Sequence, residues 1–437
     1  MSSSLPRAPA SGGPAPIASV VAETLPRCRT EGARVGIPGD DVVAGDAMIV
    51  GDALLLGVVR RDGTKRLASI VRASLDLGTI TVVDVGAALG DDPPPSPRLR
   101  GTGAIVAAYV RPKAAANAPA NAPAAPTDAG PSATWLSRVL ELSRFEGGAL
   151  TSEARIVQQA DESLAYDVAW PLDAVAAASA DKPGIVAWDE DAPPPAGSSV
   201  ADRGIVKVQV LGASGRTRVA SPDTTDAEAP RLLARRGGYW LVWLARRAEA
   251  GEDAGSAAEA PGEKRAYRWV ELVALDAKGE ATSPVRRVSP EKGRVASFDL
   301  ATMPAANGDA QLVVVVQDEA AHAEGAGERI VRYAIEGEKL DGADLLDGGV
   351  GHALAELLPA SADAAAPRWL AFSDLQEHAH LAPLGPSLRL SAGPTLEPSL
   401  DNTRIVTSTA DVVFAVGPAS GSDASGGRLE LRRLICR

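Results

Sequence analysis

Pro97-Arg98-Leu99, Pro230-Arg231-Leu232 and Pro367-Arg368-Trp369 each open an apolar segment, at intervals of 133 and 137 residues. Halfway between them stand two segments of similar shape, SLAYDVAW from Ser163 and RVASFDLA from Arg294. The unit is therefore about 67 residues, and a period of that size calls for an array of like units stacked on one another.

Within each unit the apolar runs are short, β-branched or alternating, and they are broken by Gly, Pro, Asn and Asp, which is the pattern of an antiparallel meander. The unit from Arg231 shows it most clearly. Its four strands are read at 231–235, 238–246, 268–276 and 283–290, with Asp276-Ala277-Lys278-Gly279 as the tight turn between the last two. Second strands such as DALLLGVV (52–59), AQLVVVVQD (310–318) and ADVVFAVG (410–417) are too apolar to be solvated on one face. A strand held between two neighbouring sheets reads this way.

Units start near residues 47, 98, 163, 231, 294, 368 and 403, and the last has only three strands before the sequence stops. The unassigned strand-like piece, 28–37, lies ahead of the first complete unit and is expected to supply the fourth. On these repeats the chain resembles a β-propeller of the divergent bacterial type over residues 28–437. The resemblance implies an all-β fold of seven four-stranded antiparallel blades, closed by pairing of the N-terminal strand with the C-terminal blade. Residues 1–27 read as a flexible Ser/Ala/Pro leader, and a short helix is expected near 353–358. The one Trp-Asp pair, Trp188-Asp189, ends a second strand and not a third, so no WD40 signature is present, nor is a Kelch one. The resemblance carries over no catalytic residue.

Composition narrows the partners. Lys plus Arg number 44 against 56 Asp plus Glu, a net charge of −12, which disfavours a nucleic-acid surface. No apolar run is long enough to span a membrane as a helix. The Ala/Pro/Gly-rich stretches 112–133, 190–202, 247–265, 319–328 and 418–427 all fall between second and third strands. In a propeller these emerge on one face, where they read either as an adaptable binding face for a protein or polymer or, the favoured reading, as neutral insertions that solvent tolerates.

Two cysteines, Cys28 and Cys436, bracket the repeats. With Cys436 ending a third strand and Cys28 beginning the fourth of the same blade, a disulfide between them is expected, and with it an extracytoplasmic (periplasmic or secreted) location. His378 and His380, two apart on a strand, face one side and are candidate metal ligands. No third ligand is identified, although Asp374 and Glu377 are close, and the alternative is two packing or surface histidines. His322 and His352 receive no role. No phosphate loop, dinucleotide fingerprint, nucleophile elbow or zinc-protease motif occurs, so no cofactor is expected. Tyr239, Trp240 and Trp243 alternate along a buried strand and read as core. The strands expected to line the channel contain few carboxylates each. The leading expectation is therefore a non-catalytic scaffold or interaction module, more a binder than an enzyme, with a carboxylate-based hydrolase at the channel mouth as the alternative. A catalytic propeller would converge carboxylates from several blades on the axis, with displaced pKa values; a scaffold would not.

Overall fold

The computed structural model describes residues 27–87, 95–100, 105–112, 138–146, 149–158, 165–171, 184–192, 203–211, 216–247, 267–304, 310–319, 328–351, 355–359, 367–384, 389–390, 395–396, 403–408, 412–419 and 428–436. All elements among them are β-strands. β1 (Arg27–Gly36) precedes a four-stranded sheet of β2 (Asp40–Val50), β3 (Ala53–Asp62), β4 (Lys65–Ser74) and β5 (Ile80–Ala87). The second sheet is β6 (Arg98–Arg100), β7 (Ile105–Pro112), β8 (Arg138–Glu146) and β9 (Ala149–Gln158). The third is β10 (Tyr166–Ala169), β11 (Ile185–Ala192), β12 (Arg203–Val210) and β13 (Arg218–Val219). The fourth is β14 (Thr225–Arg235), β15 (Gly238–Arg247), β16 (Trp269–Asp276) and β17 (Arg286–Arg287). The fifth is β18 (Val295–Pro304), β19 (Ala310–Asp318), β20 (Glu328–Glu336) and β21 (Lys339–Val350). A three-stranded sheet follows, β22 (Glu356–Pro359), β23 (Pro367–Ser373) and β24 (Ala379–Pro383). In the last, β25 (Thr395–Leu396) and β1 add to β28 (Leu429–Cys436), β27 (Val412–Pro418) and β26 (Arg404–Ser408).

The architecture is a β-propeller of antiparallel meanders, but among the described residues the blades with four strands or more number six, not the seven expected. The deficient sheet ends at β24. Between it and β25 the described residues show a single antiparallel bridge, Leu384 to Leu390. Two further expectations are corrected in the same region. Pro367-Arg368 opens the second strand of its sheet, not the first, and 356–359 is that first strand where a helix was expected. ELLP is too short for a helix, and Leu357 and Leu358 are buried on opposite sides of the strand, one against each neighbouring sheet.

Two-sided burial explains the apolar second strands. Along β15, Tyr239, Leu241, Trp243 and Ala245 pack on the third sheet, whereas Val242 and Leu244 pack on the fifth. Along β27, Val413 and Ala415 face the three-stranded sheet, and Phe414 and Val416 face the first sheet. The period of two thus serves two cores at once. Tyr239 and Trp243 are core as expected; Trp240 lies on the partly buried side, with the Arg235 guanidinium 5.0 Å above its ring. Asp276 holds the expected turn: its Oδ1 accepts the N–H groups of Lys278 and Glu280 at 2.8 and 2.9 Å, and Gly279 takes φ +72°. The first strands β2, β6, β10, β14, β18, β22 and β26 each touch the next, and β26 touches β2, so they surround the axis.

Candidate functional site at the channel mouth

These seven inner strands enclose a cavity of about 420 Å³. Its wall combines Leu232, Leu233, Phe298 and Leu357 with Asp46, Asp167, Asp299 and Glu356 and with Arg98, Arg100 and Arg231. A smaller chamber of about 220 Å³ lies beside it, bordered by Gly45, Ser96, Tyr166 and Arg404. Asp46, Arg98 and Arg231 border both.

The carboxylates are placed by a local device repeated around the ring. Each of three inner-strand aspartates reaches across to the next sheet and accepts a backbone N–H from the leucine of its inner strand. Asp46 accepts from Leu99 at 3.3 Å, Asp167 from Leu232 at 2.8 Å, and Asp299 from Leu357 at 2.8 Å. The inner strand of each sheet has a neighbour on one side only, so backbone donors on its axial edge lack a ladder partner, and an aspartate of the preceding sheet supplies the acceptor.

Their electrostatic surroundings differ sharply. Asp46 binds Arg98 Nη1 at 3.0 Å and Arg100 Nη1 at 2.6 Å. Burial works against its charge, but the two guanidinium groups and the Leu99 amide outweigh it and hold the carboxyl at about 2. Arg100 turns its other nitrogen to Asp167 Oδ1 at 2.8 Å; despite burial these two carboxylates strengthen its charge. Asp299 has no such partner. Among the described residues its oxygens accept the amides of Leu300 and Leu357, both at 2.8 Å, and burial together with the nearby Glu356 charge pushes it up to about 7. Glu356 is in turn ion-paired to Arg404. One cavity therefore holds a fixed carboxylate and a carboxyl that keeps its proton to near neutrality. That separation of charge states is the pattern by which acid and base roles are divided in one site.

His378 and His380 do share one side of a strand end, but far from the axis. Both rings turn to Asp374 Oδ2, His378 through Nδ1 at 3.2 Å and His380 through Nε2 at 2.9 Å. Asp374 Oδ1 caps the hairpin by accepting the amides of Gln376 and His378, and His380 stacks on Phe372 with centroids 5.0 Å apart. Among the described residues no group of three His, Cys, Asp or Glu is arranged to hold a metal. His322 and His352 lie outside the described residues, as do most of the long second-to-third-strand segments. Cys28 is buried and its backbone is in register with Cys436.

No protein-family model matches the chain, and no curated protein matches it. Its fold is similar to that of an α-L-arabinofuranosidase of Fusarium graminearum, with 10% identity, 92% of this chain and 97% of that one covered, and a TM-score of 0.44. It is also similar to the polysaccharide lyase Uly1, at 9% identity, 91% and 90% coverage and a TM-score of 0.45. The β-propeller domain of the Trilobed protease from Pyrococcus furiosus is a third, at 9% identity, 91% and 94% coverage and a TM-score of 0.43. The expectation of a non-catalytic scaffold, more a binder than an enzyme, is corrected. What overturns it is the axis itself, which carries convergent carboxylates from several sheets with displaced pKa values.

Proposed function

We propose that the protein is a hydrolase whose carboxylate site lies at the channel mouth and cleaves glycosidic bonds. The observation that carries this reading is the pair Asp46 and Asp299 in one cavity, the first held ionised and the second held protonated. Acetal cleavage needs a proton for the departing oxygen and an anionic group to stabilise the cationic carbon or to direct water at it. Asp299 supplies the proton. Asp46 keeps negative charge at the reacting carbon, and Asp167, tied to Arg100, holds that arrangement in place. Phe298, Leu300 and Leu357 provide the apolar wall that keeps the Asp299 carboxyl neutral.

A Cys28–Cys436 disulfide and an extracytoplasmic location, where polymeric glycosides are met, belong to the same proposal; the facing register of the two cysteines supports them. The test is reducing-end release from a panel of plant, algal and bacterial polysaccharides, with wild type and Asp299→Asn in parallel. Release by wild type and a loss of 100-fold or more in the variant are expected. No release from any member between pH 4 and 8 would overturn the assignment.

A further inference from the structure

The two chambers at the axis differ in charge balance. The larger is bordered by four carboxyl groups, Asp46, Asp167, Asp299 and Glu356, against three arginines. The smaller is bordered by three arginines, Arg98, Arg231 and Arg404, and by one carboxylate, Asp46, which is already committed to Arg98 and Arg100. The partner of Arg404, Glu356, borders the larger chamber and not the smaller. In a chain of net charge −12 this is a local excess of positive charge.

Two polar groups in the smaller chamber lack partners among the described residues. The Arg231 side chain, on a residue that is partly buried, makes no hydrogen bond or ion pair with any of them. Ser96 Oγ is buried and unbonded. It rests against Gly45 so closely that a Cβ at that position would lie 2.0 Å from it. The Tyr166 hydroxyl is spent on the Ser96 carbonyl at 3.1 Å, and burial keeps that phenol un-ionised. A guanidinium and a hydroxyl left unbonded at the border of one chamber are donors of the kind an anionic oxygen pair requires.

We infer that the smaller chamber is an anion subsite, so that the substrate of the hydrolase proposed above is an acidic saccharide. Its carboxylate binds Arg231 and Ser96 while the bond to be cleaved lies by Asp299. Because Asp46, Arg98 and Arg231 border both chambers, one ligand spans them. The inference rests on the hydrolase reading for the word substrate, but its test does not depend on turnover.

The test is calorimetric titration of the full chain at low ionic strength with glucuronate, glucose and inorganic phosphate. Glucuronate is expected to bind at least tenfold more tightly than glucose. Arg231→Gln, with unchanged melting temperature, should erase that preference, and Arg231→Lys should restore part of it. Ser96→Ala should weaken glucuronate severalfold. Asp299→Asn should retain the preference; if it does while no polysaccharide is cleaved, the subsite stands and the hydrolase reading alone falls. Equal binding of glucuronate and glucose would overturn the subsite, as would a preference untouched by Arg231→Gln. Phosphate binding as tightly as glucuronate would mean a free-anion site and would overturn the substrate assignment.

Discussion

Cys28 and Cys436 stand directly opposite each other across the antiparallel ladder of β1 and β28. Facing residues in such a ladder have Cα atoms about 4.5–5.5 Å apart, inside the range a disulfide spans. Cys28 is 1% exposed, packed with Leu358, Leu381 and Leu434. Thiol titration of the denatured, unreduced protein is expected to find no free thiol, with a monomer on a non-reducing gel; two free thiols would refute the bond. A cross-link over a loop of this length constrains the unfolded chain by about 6 kcal/mol at most, and strain lowers the figure. Reduction should therefore lower the melting temperature by several degrees.

Glu271 joins two buried indoles of the fourth blade. Its Oε1 accepts from Trp269 at 2.9 Å and its Oε2 from Trp243 at 3.2 Å. Gln presents one acceptor where two donors wait, so Glu271→Gln should cost about 1–3 kcal/mol. Denaturant unfolding measures it. Trp243→Phe in the same background should then cost less than in wild type, because one orphaned donor has gone.

Arg100 bridges Asp46 and Asp167 at 2.6 and 2.8 Å. Replacing it with Met leaves the buried Asp167 without its counter-charge and the partly buried Asp46 with Arg98 alone, a loss of about 3 kcal/mol. Part of that loss should return as the pH is lowered and the carboxylates protonate, which a stability profile from pH 3 to 7 resolves. A neutral outcome at all pH values would show that Arg100 carries no structural charge.

Asp299 gives stability a pH dependence of the opposite sign to a salt-bridged carboxylate. Its folded pKa of about 7 lies above the ordinary aspartate value of 3.8. The folded state therefore holds the proton more tightly than the unfolded one. Its contribution is complete below about pH 4 and is lost as the pH rises through 7. Asp46, at about 2 in the fold, contributes above pH 4 and loses its contribution as the pH falls through 2. Asp299→Asn gives up an acceptor for a backbone amide at every pH. Relative to wild type it should nevertheless look better at pH 8 than at pH 4, by a few kcal/mol.

The blade pattern was legible in the sequence because two-sided burial leaves its mark on every second strand: DALLLGVV and AQLVVVVQD admit no solvated face. The Pro-Arg repeat misled in one place. Pro97-Arg98 opens β6 and Pro230-Arg231 lies within β14, both inner strands, but Pro367-Arg368 opens β23, so a shared dipeptide did not mean a shared position. The site was in view and misjudged. Asp167 sits in SLAYDVAW and Asp299 in RVASFDLA, one acid per strand, and a strand-by-strand reading finds such channel walls poor in carboxylates. Convergence of the inner strands on one axis makes single acids into a cluster. Glu356 was hidden differently, in a stretch read as helix. That Asp299 differs from Asp46 was not readable at all, since it depends on arginines contributed by a neighbouring sheet.

The account stands on a proton held by Asp299. With the protein labelled at aspartate side-chain carboxyl carbons, and Asp299→Asn used to assign the resonance, an NMR titration measures that proton directly. A midpoint near 7 is predicted. A midpoint near 4 would leave no proton to donate at neutral pH and would contradict the role given to Asp299.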